Sequence, residues 1–220
     1  MTFPAIARRQ RDPEASQWIL RVAASVLVLC GIVLIAASQR PALSANDPAA
    51  FLDSYGDRAV SLLGDQSRSE SERREDFGQL LREGFDLESI SAFVLSTYWR
   101  EASEDQRSRF VEAFQGVLAS RFLPLFEEAK SDSFAIRGSR NISGRDDLFM
   151  VETVLTDSKG RQVRTDWRVK KTGSGYQILD VSVEGASMAQ TFRDEYRAFV
   201  RRSDQGLDGL IQRLEQQAAG

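Results

Sequence analysis

The sequence predicts an α+β protein, with a mostly helical first half, an antiparallel sheet, and closing helices at the C-terminus. Three observations predict it. Up to about Lys130 apolar residues recur at helical spacing, and beyond that point they alternate with polar ones. After Gly185 the helical spacing returns. A hydrophobic share of 42% in 220 residues is enough to bury a substantial core. Helices and strands grouped in separate stretches mark α+β rather than a wound parallel sheet.

The N-terminus comes first. Arg8, Arg9 and Arg11 precede an apolar run from Val22 to Ala37, and Ala42-Leu43-Ser44-Ala45 supplies small residues for cleavage. This is the pattern of a secretory signal peptide over residues 1–45, with cleavage after Ser44 or Ala45. Trp18, Ile19 and Leu20 extend the run past Arg21, so the same stretch also reads as an uncleaved N-terminal anchor. Either way residues 46–220 form a domain that works outside the cytoplasm.

Asn46-Asp47-Pro48 offers a cap and a proline at the first helical position. Ala49, Leu52, Tyr55, Ala59, Leu62 and Leu63 give that helix one apolar face. Arg68 to Arg74 is charge-dense and reads as a solvated helix face or loop. Phe77, Leu80 and Leu81 predict a second helix ending near Gly84. Leu87, Ile90, Val94 and Thr97 predict a third, with Phe93 on its flank and Tyr98-Trp99 at its close. Ser103 to Gln106 is a capping box opening a long helix. Phe110, Phe114, Val117, Leu118, Phe122, Leu125 and Phe126 make an aromatic-rich stripe along it, and Pro124 is expected to kink or break it.

Four strands follow. Ser133 to Ile136 is short, and Leu148 to Thr156 is apolar on both parities, as in a central strand. In the third, Val163, Thr165, Trp167 and Val169 alternate with Arg164, Asp166 and Arg168. In the fourth, Leu179, Val181 and Val183 alternate with Ile178, Asp180, Ser182 and Glu184. Setting Trp167 opposite Val181 gathers the apolar residues on one face and puts Arg168 opposite Asp180 and Arg164 opposite Glu184 on the other. A one-residue slip would mix the faces. Pairing Thr156 with Arg161 extends the apolar wall with Leu148, Met150 and Val154, but turns Glu152 inward, where a carboxylate needs a partner, solvent or a bulge. Ser187 then caps a helix bearing Met188, Phe192, Tyr196, Phe199 and Val200, and a last helix begins near Gly206.

Composition excludes much chemistry. Histidine is absent, which removes the commonest base, the commonest metal ligand and every histidine-dependent triad. The single cysteine, Cys30, lies in the apolar run, and net charge is −3, which gives no basic field for nucleic acid. Acid pairs such as Glu127-Glu128 lack metal-ligand spacing, so no metal or cofactor is expected. Asp166, Asp180 and Glu184 come nearest to a carboxylate site, with Asp166 or Asp180 as the candidate base of an enzyme built on a cone-shaped sheet. Their register favours cross-strand ion pairs instead. What remains is an apolar wall faced by phenylalanine-rich helices, a surface suited to hydrocarbon. Core packing is the ordinary reading of any one of its side chains, and the residues that would line a cavity instead are Phe93, Phe110, Phe114, Phe122, Phe126, Met150, Val154, Val163, Trp167, Val169, Leu179, Val181, Met188 and Phe192.

Several segments carry a resemblance. They are Phe85-Asp86-Leu87-Glu88 with Phe93-Val94-Leu95, Tyr98-Trp99-Arg100, Ser103 to Arg107, Val163 to Trp167, Ile178 to Met188, and Gly206 to Ile211. In order and spacing they resemble the MlaC family, the toluene-tolerance or ABC-transporter auxiliary proteins, from about Asp47 to Leu214. Two departures stand out. Ser96 stands where a glycine is usual, and Phe122 and Phe126 stand where tyrosines are frequent. The resemblance implies a curved antiparallel sheet whose concave face is closed by helices, with phospholipid acyl chains between them and the headgroup near the surface. It implies a periplasmic carrier that docks to an inner-membrane ABC transporter complex and an outer-membrane lipoprotein complex. A hopanoid-type lipid is the alternative cargo.

Overall fold

The computed structural model describes residues 47–219 apart from 64, 66, 128–133, 143, 157–159 and 161; of 63 and 124–127 it describes the backbone alone. The expected signal segment, 1–45, and the strand start at Ser133 lie outside the described residues. Seven helices and five strands are present among those described: α1 (Pro48–Leu63), α2 (Glu70–Gly84), α3 (Leu87–Leu95), α4 (Thr97–Glu101), α5 (Glu104–Glu127), β1 (Phe134–Asn141), β2 (Leu148–Thr156), β3 (Gln162–Thr172), β4 (Gly175–Val183), β5 (Ala186–Ser187), α6 (Met188–Arg202) and α7 (Gly206–Ala219). The strands form one antiparallel sheet in the order β1-β2-β3-β4-β5. The fold is α+β, with one strand more than the four expected.

The helix boundaries follow local chemistry. The charge-dense stretch is the first turn of α2, where Ser69 and Glu72 close a capping box. Ser103 and Gln106 cap α5 reciprocally, at 3.0 and 3.1 Å. The predicted third helix is interrupted at Ser96, whose φ of 59° and ψ of −116° separate α3 from α4. Pro124 does not end α5, which runs on to Glu127. Proline there forgoes one amide bond near the last turn, a smaller loss than in mid-helix. Between β4 and β5, Glu184 (φ 49°) and Gly185 (φ 83°) form a two-residue turn with both central residues left-handed, the geometry that matches strand twist.

Three register details correct the sequence reading. Trp167 does face Val181, and Arg168 faces Asp180. Next to that pair β4 carries a bulge, so Val169 pairs with Ile178 and Leu179 is the extra residue. Leu179 is therefore displaced from the apolar face, and Ile178, fully buried, takes its place. On the other side Thr156 pairs with Gln162, not Arg161. This one-residue difference puts Phe149, Val151, Thr153 and Leu155 on the apolar face and sends Met150 and Val154 to the opposite one. Glu152 goes with them, facing Asp166, with Arg140 at 3.5 Å and Arg164 at 3.8 Å. The register that keeps Glu152 out of the interior needs no bulge.

The apolar face of the sheet has a closed end and an open end. At the closed end Val151, Val169 and Ile178 are fully buried, and Tyr176 packs against Phe51 of α1 and Phe149 of β2 at 5.8 and 6.0 Å between ring centroids. The helices form a separate cluster in which Phe110, Phe114, Phe192, Tyr196, Leu210, Ile211 and Leu214 are packed out of solvent. At the open end sheet and helices stand apart.

Candidate functional site

The gap at the open end is a cavity of about 250 Å³. α1 contributes Leu52, Tyr55, Gly56, Ala59 and Val60; α2 contributes Phe77 and Leu81, with Phe85 behind them. Ile90 of α3 and Phe114, Leu118 and Phe122 of α5 complete the helical wall. The sheet supplies Phe134, Leu155, Thr165, Trp167, Asp180, Val181 and Val183, and α6 closes the circuit with Met188, Ala189 and Phe192. Each set follows from periodicity. Leu52, Tyr55, Gly56 and Ala59 share one helical face, and residues 165, 167, 181 and 183 share one side of the pleat. Gly56 lets α1 come close to the sheet, since a Cβ there would stand 3.3 Å from the Phe134 ring.

Polar atoms at the wall are mostly engaged elsewhere. The Trp167 Nε1–H donates to Thr153 Oγ1 at 3.0 Å, and the Thr153 hydroxyl donates to the Thr165 carbonyl at 2.8 Å. The indole is thereby fixed by its polar edge, with Phe134 edge-on at 6.3 Å. The Tyr55 hydroxyl donates to the Leu80 carbonyl at 2.8 Å, and burial pushes the phenol well above its ordinary value. Thr165 Oγ1 is buried and has no hydrogen-bond partner among the described residues.

Asp180 is the charged residue of the lining, and its carboxylate is saturated. Oδ1 accepts from the amides of Val181 at 2.9 Å and Ala189 at 3.0 Å, and Oδ2 accepts from the Ser187 hydroxyl at 2.6 Å. With Ser187 accepting from the Gln190 amide, it caps the start of α6. Asp166 is held by Arg164 at 3.0 Å on the opposite face. Of the two candidate bases, Asp166 is paired on the opposite face and Asp180 borders the cavity with three hydrogen bonds made. Among the described residues no group of three or more metal-ligating side chains occurs.

Of the residues proposed from sequence, Phe114, Phe122, Trp167, Val181, Met188 and Phe192 line the cavity together. The others do not. Phe93 is 39% exposed on the flank of α3, with the Arg193 guanidinium 4.7 Å from its ring centroid. Phe110 lies inside the helical cluster, stacked on Phe114 at 5.6 Å and edge-on to Tyr196. Met150 and Val154 are on the far face by register, and Leu179 is displaced by the bulge. Val169 is packed at the closed end; Val163 is on the apolar face opposite Leu155 but outside the lining. The Phe126 side chain lies outside the described residues. Sequence reasoning missed the contribution of α1. Its apolar face was legible, but nothing in that stretch says which layer it meets.

Residues 54–216 match the family model described as MlaC protein. The chain belongs to the MlaC family. A curated relative, toluene tolerance protein Ttg2D of Pseudomonas putida, is 21% identical over 188 residues, 82% of this chain and 85% of that one. Among solved structures, a phospholipid-binding protein from Ralstonia solanacearum, in complex with a phospholipid, superposes with a TM-score of 0.68 at 19% identity. The match covers 79% of this chain and 97% of that one. At such identity the likeness is one of fold: the MlaC-type arrangement of helices on an open antiparallel sheet.

Proposed function

We infer that this MlaC protein is a periplasmic lipid carrier, not an enzyme, and that its cavity holds phospholipid acyl chains. The observation that carries the reading is the lining. It is made of aliphatic and aromatic side chains, and its one charged group, Asp180, is consumed in capping α6. Beyond Asp180 and the hydroxyls of Tyr55 and Thr165, such a wall carries no group for proton transfer or nucleophilic attack. It does favour hydrocarbon, at about 0.8 kcal/mol for each buried methylene.

At about 250 Å³ the cavity lies below the roughly 300–1,000 Å³ usual for ligand pockets. It accommodates part of a lipid tail, so loading two chains requires the helices to move away from the sheet. The same movement in reverse provides release, which a shuttle needs as much as affinity. Membership of the family supports the remaining parts of the reading: export to the periplasm, and exchange of lipid with an inner-membrane ABC transporter complex and an outer-membrane lipoprotein complex.

Native mass spectrometry of the exported protein, purified without detergent, tests the reading. A co-purified lipid of discrete mass is the expected result. A protein that emerges empty and takes no lipid from vesicles of phosphatidylethanolamine and phosphatidylglycerol overturns it.

A further inference from the structure

Among the described residues, Arg121 stands just outside the lining, on the stripe of α5 that borders the cavity. Phe114, Leu118 and Phe122 of α5 face into it. Arg121 is seven residues beyond Phe114 and three beyond Leu118, which places it on the same stripe of the helix. Its guanidinium carbon lies 5.5 Å from the centroid of the Phe192 ring, itself part of the lining. Phe114 and Leu118 are buried, whereas Arg121 is exposed. A long cationic side chain on an otherwise apolar stripe fits the point where that stripe leaves the core and meets water.

Three other cations are already engaged. Arg58 of α1 pairs with Glu83, Arg164 pairs with Asp166, and Arg168 faces Asp180 at 4.0 Å. The start of α6 borders the cavity through Met188 and Ala189, but Asp180 and Ser187 occupy its amides. Among the described residues Arg121 has no ion pair and no hydrogen bond, and its guanidinium rests on the face of Phe192. That contact orients the plane while leaving the N–H donors at its edge unused.

We propose that Arg121 is the headgroup contact of the cavity, binding the phosphodiester of a lipid whose chains lie inside and selecting phosphate-bearing lipids over neutral ones with the same tails. The proposal rests on the carrier reading above. A guanidinium fork matches two phosphate oxygens at once, and the charge-assisted bonds are formed at the rim, where the headgroup stays near water. A neutral lipid offers this cation no oxyanion. Arg121 therefore governs which lipid is chosen, and the apolar wall governs whether one is held.

The test offers the delipidated protein equimolar dioleoylphosphatidylglycerol and dioleoylglycerol, which share acyl chains and differ in the phosphate headgroup, with bound lipid read by native mass spectrometry. Wild type is expected to favour the phospholipid about tenfold, the size of one charge-assisted hydrogen bond, and less as salt is added. Arg121→Gln is expected to take the two lipids in about equal amounts, through weaker uptake of the phospholipid. Arg121→Lys is expected to keep part of the preference, having the charge without the fork. An Arg121→Gln protein with undiminished preference overturns the proposal and leaves the carrier reading standing. A folded Arg121→Gln protein that loses both lipids also overturns it, since Arg121 would then be part of the wall. If wild type takes neither lipid, the carrier reading fails and this proposal with it.

Discussion

Trp167 ties the sheet to the cavity. Its polar edge is held by Thr153, and the rest of the ring is free to form wall. Replacing it by aspartate puts a carboxylate into a wall built of apolar side chains, away from water. Trp167→Asp is expected to reduce co-purified lipid to about a tenth of wild type or less, with the far-ultraviolet circular dichroism of a folded protein. Wild-type loading in a folded variant would contradict the assignment of this face. Ser96 poses a backbone question instead. Its φ of 59° with ψ of −116° is a conformation that glycine adopts without side-chain strain. Its hydroxyl accepts from Arg193 at 3.0 Å, a single partly buried bond against that strain. Ser96→Gly is expected to raise unfolding stability by about 1 kcal/mol in a urea titration. Both residues could be singled out from sequence, Trp167 from alternation and Ser96 from resemblance.

Elements were legible where one local rule decided them and obscure where two rules met. The hairpin of β3 and β4 followed from alternation at Trp167–Val181, yet the bulge at Leu179 went unseen. The signal was present: Tyr176 and Ile178 are apolar on one parity, Val181 and Val183 on the other, so the pattern changes phase inside β4. In β2 both parities are apolar, so periodicity could not choose a register. The inward Glu152 that accompanied the wrong choice was the physical objection to it. Asp180 shows the same dependence on neighbours. Strand parity assigns it to the charged face, but β5 and α6 fold back over it, and it becomes a cap accepting three hydrogen bonds at 3% side-chain exposure. Asp180→Ala is expected to cost about 2–4 kcal/mol in chemical denaturation, through buried donors left unpaired at the start of α6. Folded Asp180→Ala is still expected to carry lipid. Loss of lipid from a variant that keeps native stability would instead favour a direct role for the carboxylate.

At the scale of the molecule, the helical cluster and the closed end of the sheet hold the fold, and the open end leaves the cavity. Tyr55 and Tyr196 tie stability to pH. Burial raises both phenols above their ordinary value near 10. In the unfolded chain they ionise near pH 10, while in the folded protein they stay neutral beyond it. The stability this provides is fully present below pH 10 and is lost as pH rises through the raised folded values. Each tyrosine is expected to remove about 1.4 kcal/mol per pH unit above 10, measured as a falling urea midpoint, with Tyr196→Phe showing a shallower decline.

The sequence by itself determined the class of fold, the caps of α5 and α6, the Trp167–Val181 register and the lack of histidine-based chemistry. Each depends on residues a few positions apart or on composition. Only the tertiary structure decided which apolar residues meet empty space and which meet one another. Phe110 and Phe114 lie on one stripe of one helix, yet Phe110 packs against Tyr196 in the cluster and Phe114 also reaches the cavity. Hydrophobicity makes a residue leave water, but only packing between distant elements decides whether it fills the core or borders a gap.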